Sequence, residues 1–193
     1  ILNADDEQLV KLAENPRVSK VPKKIVYYSL KPSNPVVRRH IAQGGVAFCL
    51  LNGWLTEMTS FEQRSLVDAS ALPMTLGGKS EYQISNALAA LAAARAYGLR
   101  QEQIAPALLS YQNCEHNSGR SNFYRVGKGY VMVDYGHNPA AFTAVGRVVR
   151  KLGGRRVTAV LGVPGDRDDS VIRQAAQAAA RSFGRLIIKE DHD

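Results

Sequence analysis

Between Tyr130 and Ile188 the chain alternates short apolar runs with amphipathic stretches of helical period, and no other feature limits the fold as much. "YVMVDYG" is strand-like, "PAAFTAVGRVVRKL" predicts a helix over 139–152, and "RVTAVLGV" predicts a strand over 156–163. "DDSVIRQAAQAAARSFG" predicts a helix over 168–184, and "RLIIKED" a last strand. Strands joined through helices pair in parallel by right-handed crossovers, which predicts an α/β fold with a mostly parallel, Rossmann-like sheet. Three polar clusters follow these strands: "DYGHNP", "GVPGDRDD" and "KEDHD". In one parallel sheet they would converge on a single edge, where open α/β sheets place their ligands.

The preceding residues read differently. "DDEQLVKLAEN" is helical, with Asp5 able to cap it, and "KIVYYSL" is a strand. "VAFCLLNGWLTEMT" sets two apolar runs around Asn52-Gly53, the preferred pair for a tight hairpin, with Trp54 packing on it. "ISNALAALAAARAYGL" is an Ala-rich helix ended by Gly98, and "RQEQIAPALLSYQN" is a shorter one. The turn-rich "NCEHNSGRSN" marks a domain boundary, dividing the chain into 1–113 and 114–193. A second hairpin runs through Gly127-Lys128-Gly129. The opening "ILNADDEQLV" lacks an initiator Met and reads as the tail of a strand, so a piece of a longer polypeptide is expected.

Composition excludes some classes. The net charge of +8 permits polyanion binding, but the basic residues are spread and form no basic helix or tail, which argues against a nucleic-acid binder. Nucleotide phosphates or acidic substrates explain the balance as well. No apolar run approaches a bilayer span, so no membrane partner is expected. Two cysteines without metal-type spacing predict neither a metal site nor a disulfide framework, Cys49 in "VAFCLL" being core, and a reducing cytoplasm is the expected compartment. Singly, each polar cluster has an ordinary reading: Asp168 as a helix cap, His137 as a loop histidine and "KEDHD" as a solvated loop.

Together the motifs say more. "LNADD" at 2–6, "GGKSEYQISNALAALAAARAYGL" at 77–99, "SGRSN" at 118–122, "VDYGHNPAAF" at 133–142 and "GVPGDRDD" at 162–169 follow the order seen in Mur ligases, ATP-dependent enzymes that join amino acids to a carboxylate. The resemblance covers essentially the whole chain. "SLKPSNPVVRRHIAQGG" at 29–45, "PMTLGGK" at 73–79 and "IIKEDHD" at 187–193 resemble the cyanophycin synthetase branch, which builds polyaspartate bearing arginine side groups. The "DNPR" signature of peptidoglycan-type relatives is absent after the last strand.

The resemblance implies residues 1–113 as the C-terminal part of a central ATPase domain and 114–193 as the Rossmann-like C-terminal domain. It implies ATP and Mg²⁺ as cofactors, arginine and a polyaspartate backbone as substrates, and a homo-oligomeric full-length enzyme. Asn86 corresponds to an asparagine that touches adenine, Arg120 to an arginine that approaches the phosphates, and Asp134 to a carboxylate that accepts the ribose hydroxyls, with His137 and Asn138 lining the same site. Asp166, Arg167, Asp168, Lys189, Glu190 and Asp191 are the candidate amino-acid pocket; no catalytic residue or metal ligand is assigned. Ser118-Gly119-Arg120 stands where the family has Pro-Gly-Arg, and the glycine-rich P-loop is not among these residues, so they alone are expected to be inactive. Folding should depend little on Asp134, at the open end of a strand. Another Mur-type ligase, of peptidoglycan or folylpolyglutamate kind, and a non-catalytic nucleotide-binding module are the alternatives.

Overall fold

The structure is a computed structural model describing residues 1–20, 22–162 and 167–189. It divides into two compact units, Ile1–Tyr111 and Gln112–Asp193. The sequence places the boundary two residues later.

In the first unit, β1 (Leu2–Asn3), β2 (Val26–Ser29), β3 (Val46–Leu51), β4 (Trp54–Met58) and β5 (Gln63–Asp68) form one sheet in that order. The β1–β2 and β2–β3 pairs are parallel, and β3–β4 and β4–β5 antiparallel. The turn from β3 to β4 has φ of 51° at Asn52 and 84° at Gly53, as a two-residue hairpin of this hand requires. Strand alternation sends Phe48 to one face and Ala47 and Cys49 to the other, each with its own core. On the Phe48 face lies α4 (Glu81–Ala96), whose Ile84, Ala87, Leu88, Leu91 and Ala92 form one buried helical stripe. Arg95 of α4 also reaches Glu57 of β4, 3.0 Å away and largely shielded from solvent. The other face is covered by α1 (Glu7–Glu14) and α3 (Pro35–Ala42), with Ala13 and Val37 buried against Tyr27, Ala47, Cys49 and Met58. Between them α2 (Pro16–Ser19) is a single turn, and α5 (Gln101–Ser110) follows Gly98, whose φ of 100° ends α4.

The helix cap expected of Asp5 belongs instead to Asp6, which accepts the N–H groups of Gln8 and Leu9. Asp5 is used across the sheet, accepting the Ser29 hydroxyl at 2.6 Å, the Leu30 N–H at 2.8 Å and the Asn34 amide at 3.0 Å. Parallel pairing of β1 with β2 brings the end of each strand together and makes this tertiary use possible. Trp54, at the hairpin, stays 42% exposed.

The second unit contains α6 (Asn113–His116), the hairpin β6 (Asn122–Val126) and β7 (Gly129–Val133), then α7 (Pro139–Lys151), β8 (Thr158–Leu161), α8 (Asp169–Ser182) and β9 (Arg185–Ile188). β8 and β9 are parallel neighbours, as the strand–helix–strand pattern predicts. Gly146 lets α7 approach α8, because a Cβ there would stand 2.7 Å from that of Ser182. Phe142, Ala175 and Ala179 are buried with Leu161 and Leu186 packed on them.

The α/β class is therefore as expected, but one detail is not. Among the described residues β7 pairs with β6 and not with β8 or β9, so the three strands do not form one sheet. The β6–β7 hairpin closes a two-residue loop, a far smaller entropic demand than a long-range parallel pairing. Val131 and Val133 of β7 stay nearly half exposed. Leu161 and Ile188 are register partners at the ends of β8 and β9, so the chain leaves both strands at one edge, while residues 163–166 and 190–193 of the clusters that follow lie outside the described residues.

Candidate functional site

The exit of β7 is built around a carboxylate. Asp134 accepts the Ser121 N–H at 3.0 Å and the Ser121 hydroxyl at 3.1 Å on Oδ2, and the Gly136 N–H at 2.8 Å on Oδ1. Ser121 has φ of 53°, a left-handed conformation that a residue with a side chain adopts at some expense. The carboxylate holds it there. Gly136 is closely fitted, because a Cβ would lie 3.2 Å from Asp134 Oδ1 and 3.1 Å from the Ala141 Cβ.

The neighbouring loop is equally tied. Asn122 is buried; its amide donates to the carbonyls of Asn117 at 3.1 Å and Arg120 at 3.2 Å, and its oxygen accepts the Gly119 N–H. Arg120 is thereby presented on a wired loop, with its side chain exposed. Its guanidinium carbon sits 4.3 Å from the centre of the Tyr135 ring, a cation–π stack. His137 meets the same ring edge-on, with centroids 5.4 Å apart. His137 Nδ1 lies 3.0 Å from the Tyr135 carbonyl, which can only accept, so Nδ1 is the donor in this contact.

The structure thus brings Arg120, Asp134 and His137 together, as the sequence expects, and adds three residues that it does not. Ser121 and Asn122 look like ordinary turn residues in a sequence. Tyr135 carries one signal, an aromatic side chain directly after a strand-end acid. Asn138 is the N-cap of α7, accepting the Ala141 N–H at 2.9 Å, so its first role is structural. Its three donors argue against the expectation that folding depends little on Asp134.

Asn86 belongs to the first unit, exposed on α4, where its amide donates to Gln83 Oε1 at 3.2 Å. Of the candidate amino-acid pocket, Asp166, Glu190 and Asp191 lie outside the described residues. Asp168 caps α8 by accepting the Ser170 N–H at 2.8 Å, and its bonds to the Ser170 backbone and hydroxyl hold its carboxyl below the usual carboxylate range. Arg167 is exposed, and the Lys189 N–H donates to the Leu161 carbonyl at 2.9 Å, extending the β8–β9 pairing by one residue. Among the described residues no three His, Cys, Asp or Glu side chains gather as a metal site, and no helix is long and apolar enough to cross a membrane.

What the β7 exit offers chemically is a guanidinium held over an aromatic ring, a carboxylate with spare acceptor capacity on Oδ1, and an imidazole. That set suits a polyanion carrying hydroxyl groups.

Known proteins give this geometry a context. Residues 119–192 match the family described as Mur ligase, glutamate ligase domain. Across its whole length the chain is 38% identical to cyanophycin synthetase of Synechocystis sp. and 36% identical to that of Trichormus variabilis. It spans 22% and 21% of those proteins. In fold it is similar to folylpolyglutamate synthase of Thermotoga maritima, with a TM-score of 0.52 and 18% identity over 99% of this chain and 53% of that one. Residues 119–192 thus carry a Mur ligase, glutamate ligase domain, and the whole chain is similar to a stretch of the cyanophycin synthetases.

Proposed function

We propose that this chain forms part of an ATP-dependent, amide-bond-forming ligase, a cyanophycin synthetase that adds arginine to the aspartate side chains of a polyaspartate backbone. The observation that carries the reading is the 38% identity to one such enzyme over every residue of the chain. In this reading Ile1–Tyr111 is the C-terminal part of the central ATPase domain and Gln112–Asp193 the C-terminal domain. The enzyme is a cytoplasmic homo-oligomer with neither nucleic acid nor membrane as partner.

The reaction has two steps. A substrate carboxylate oxygen attacks the γ-phosphorus of ATP, the bond to the bridging oxygen breaks, and ADP leaves. The amine of arginine then attacks the acyl carbon, loses a proton, and expels inorganic phosphate as the amide forms. Within this chain, Arg120, held over the Tyr135 ring, offers a planar guanidinium to the phosphates. Asp134 Oδ1 takes one hydrogen bond from Gly136 and retains acceptor capacity for a ribose hydroxyl. His137 and Asn138 border the same surface, and Asn86 offers an amide to adenine. Arg167, Asp168 and Lys189, with Asp166, Glu190 and Asp191, are proposed for the amino-acid pocket, where carboxylates would meet the arginine cation. The fold family implies Mg²⁺, but the described residues include no cluster of ligands for it, so no step is assigned to a metal held by this chain.

The test is product chemistry in the full gene product. Labelled arginine should become amide-linked to a polyaspartate primer with one ADP released per arginine, and Arg120→Ala should depress both together. ADP release without amide formation would refute the proposal.

A further inference from the structure

We propose that Tyr135 is a positioning residue, whose ring sets the Arg120 guanidinium in place for a nucleotide phosphate; this rests on the nucleotide reading of the β7 exit. Tyr135 is 65% exposed, so it has no core to fill. Its ring is nevertheless engaged twice, beneath Arg120 at 4.3 Å and against His137 at 5.4 Å with the planes 68° apart. The backbone imposes this arrangement. Asp134 immediately precedes Tyr135, and its carboxylate binds Ser121, which immediately follows Arg120. One clasp therefore brings residues 120 and 135 side by side, and the stack follows from that spacing.

The geometry has a chemical consequence. A long arginine side chain at the surface samples many rotamers, and ordering it opposes binding. Packing the flat face of the guanidinium on an aromatic ring removes much of that freedom in advance. It consumes none of the in-plane N–H donors that a phosphate needs. His137 restricts the ring in turn, by edge contact and through the Tyr135 carbonyl at 3.0 Å. The phenol hydroxyl has no part in this role, so phenylalanine should replace tyrosine and an aliphatic residue should not.

ADP is the probe, with its affinity measured on the full gene product and NMR recorded on this 193-residue chain. The Arg120 Nε–Hε signal should carry an upfield ring-current shift in the wild type and in Tyr135→Phe, and lose it in Tyr135→Leu. The dissociation constant for ADP should rise about two- to fivefold in Tyr135→Leu, the range of an exposed cation–π contact, and stay unchanged in Tyr135→Phe. In an Arg120→Ala background Tyr135→Leu should add nothing. Unchanged ADP affinity in Tyr135→Leu, or an equal loss in Tyr135→Phe, overturns the positioning role while leaving the nucleotide site standing. Full gene product that shows no ADP binding sensitive to Arg120→Ala overturns the nucleotide reading and this role with it.

Discussion

Replacing Asp134 by alanine removes the acceptor of three donors at once: the Ser121 N–H and hydroxyl and the Gly136 N–H. Hydrogen bonds to a charged acceptor contribute roughly 1.5–3 kcal/mol each. The carboxylate is only partly buried, so water recovers much of that, and the Ser121 hydroxyl can turn to another partner. The Ser121 N–H cannot, since the residue is buried and its φ of 53° is held by the same bond. A net loss of about 2–4 kcal/mol for the second unit is expected, which lowers the melting temperature of a domain this size by about 10 °C or more. Asp134→Asn should lose about half as much, because the amide keeps one acceptor oxygen and turns a donor toward the other partner. The assay is far-UV circular dichroism with amide hydrogen exchange over residues 117–137, which should lose protection at Ser121 and Gly136. Fluorescence of the single tryptophan, Trp54, reports the first unit and should be unmoved. If Asp134→Ala melts like the wild type with both amides still protected, the carboxylate is not a clasp and the reasoning fails.

Two further outcomes follow from the first unit, and one from the thiols. Burial pushes the Cys49 thiol up to about 12, whereas Cys114 is exposed, so a thiol reagent should titrate Cys114 quickly in native protein and Cys49 only on unfolding. Burial also holds His40, packed edge-on against Tyr27, below its ordinary value of 6.5. The unfolded chain then binds the proton more readily, so stability is fully present above pH 6.5 and declines as pH falls through that value. His40→Phe should flatten that part of a melting-temperature profile, and an unchanged slope would assign it to other groups. Gly45→Ala should destabilise the first unit, since its Cβ would collide with the His40 ring; a melt like the wild type would contradict this.

The elements were legible in the sequence wherever periodicity or turn chemistry was strong. Asn52-Gly53 specified its hairpin because both residues tolerate positive φ, and the Ala-rich run specified α4 through its propensity. Asp5 and Asp134 were misread for a shared reason. Each is a carboxylate with a partner at least 13 residues away in sequence, and local pattern shows a cap or an open end where tertiary structure makes a clasp. The stack of Arg120 on Tyr135 was invisible on the same ground. The pairing of β7 was misassigned because strand–helix alternation counts strands without saying which edges meet.

The most direct measurement of the central claim is the amino-acid dependence of ADP release by the full gene product, given ATP, Mg²⁺ and a polyaspartate primer. Arginine should support turnover, with diaminopimelate, lysine and glutamate at background, and Arg120→Ala should depress the arginine-dependent rate. Turnover supported by diaminopimelate or glutamate and not by arginine would contradict the proposed substrate. ADP release indifferent to every amino acid would contradict the ligase itself.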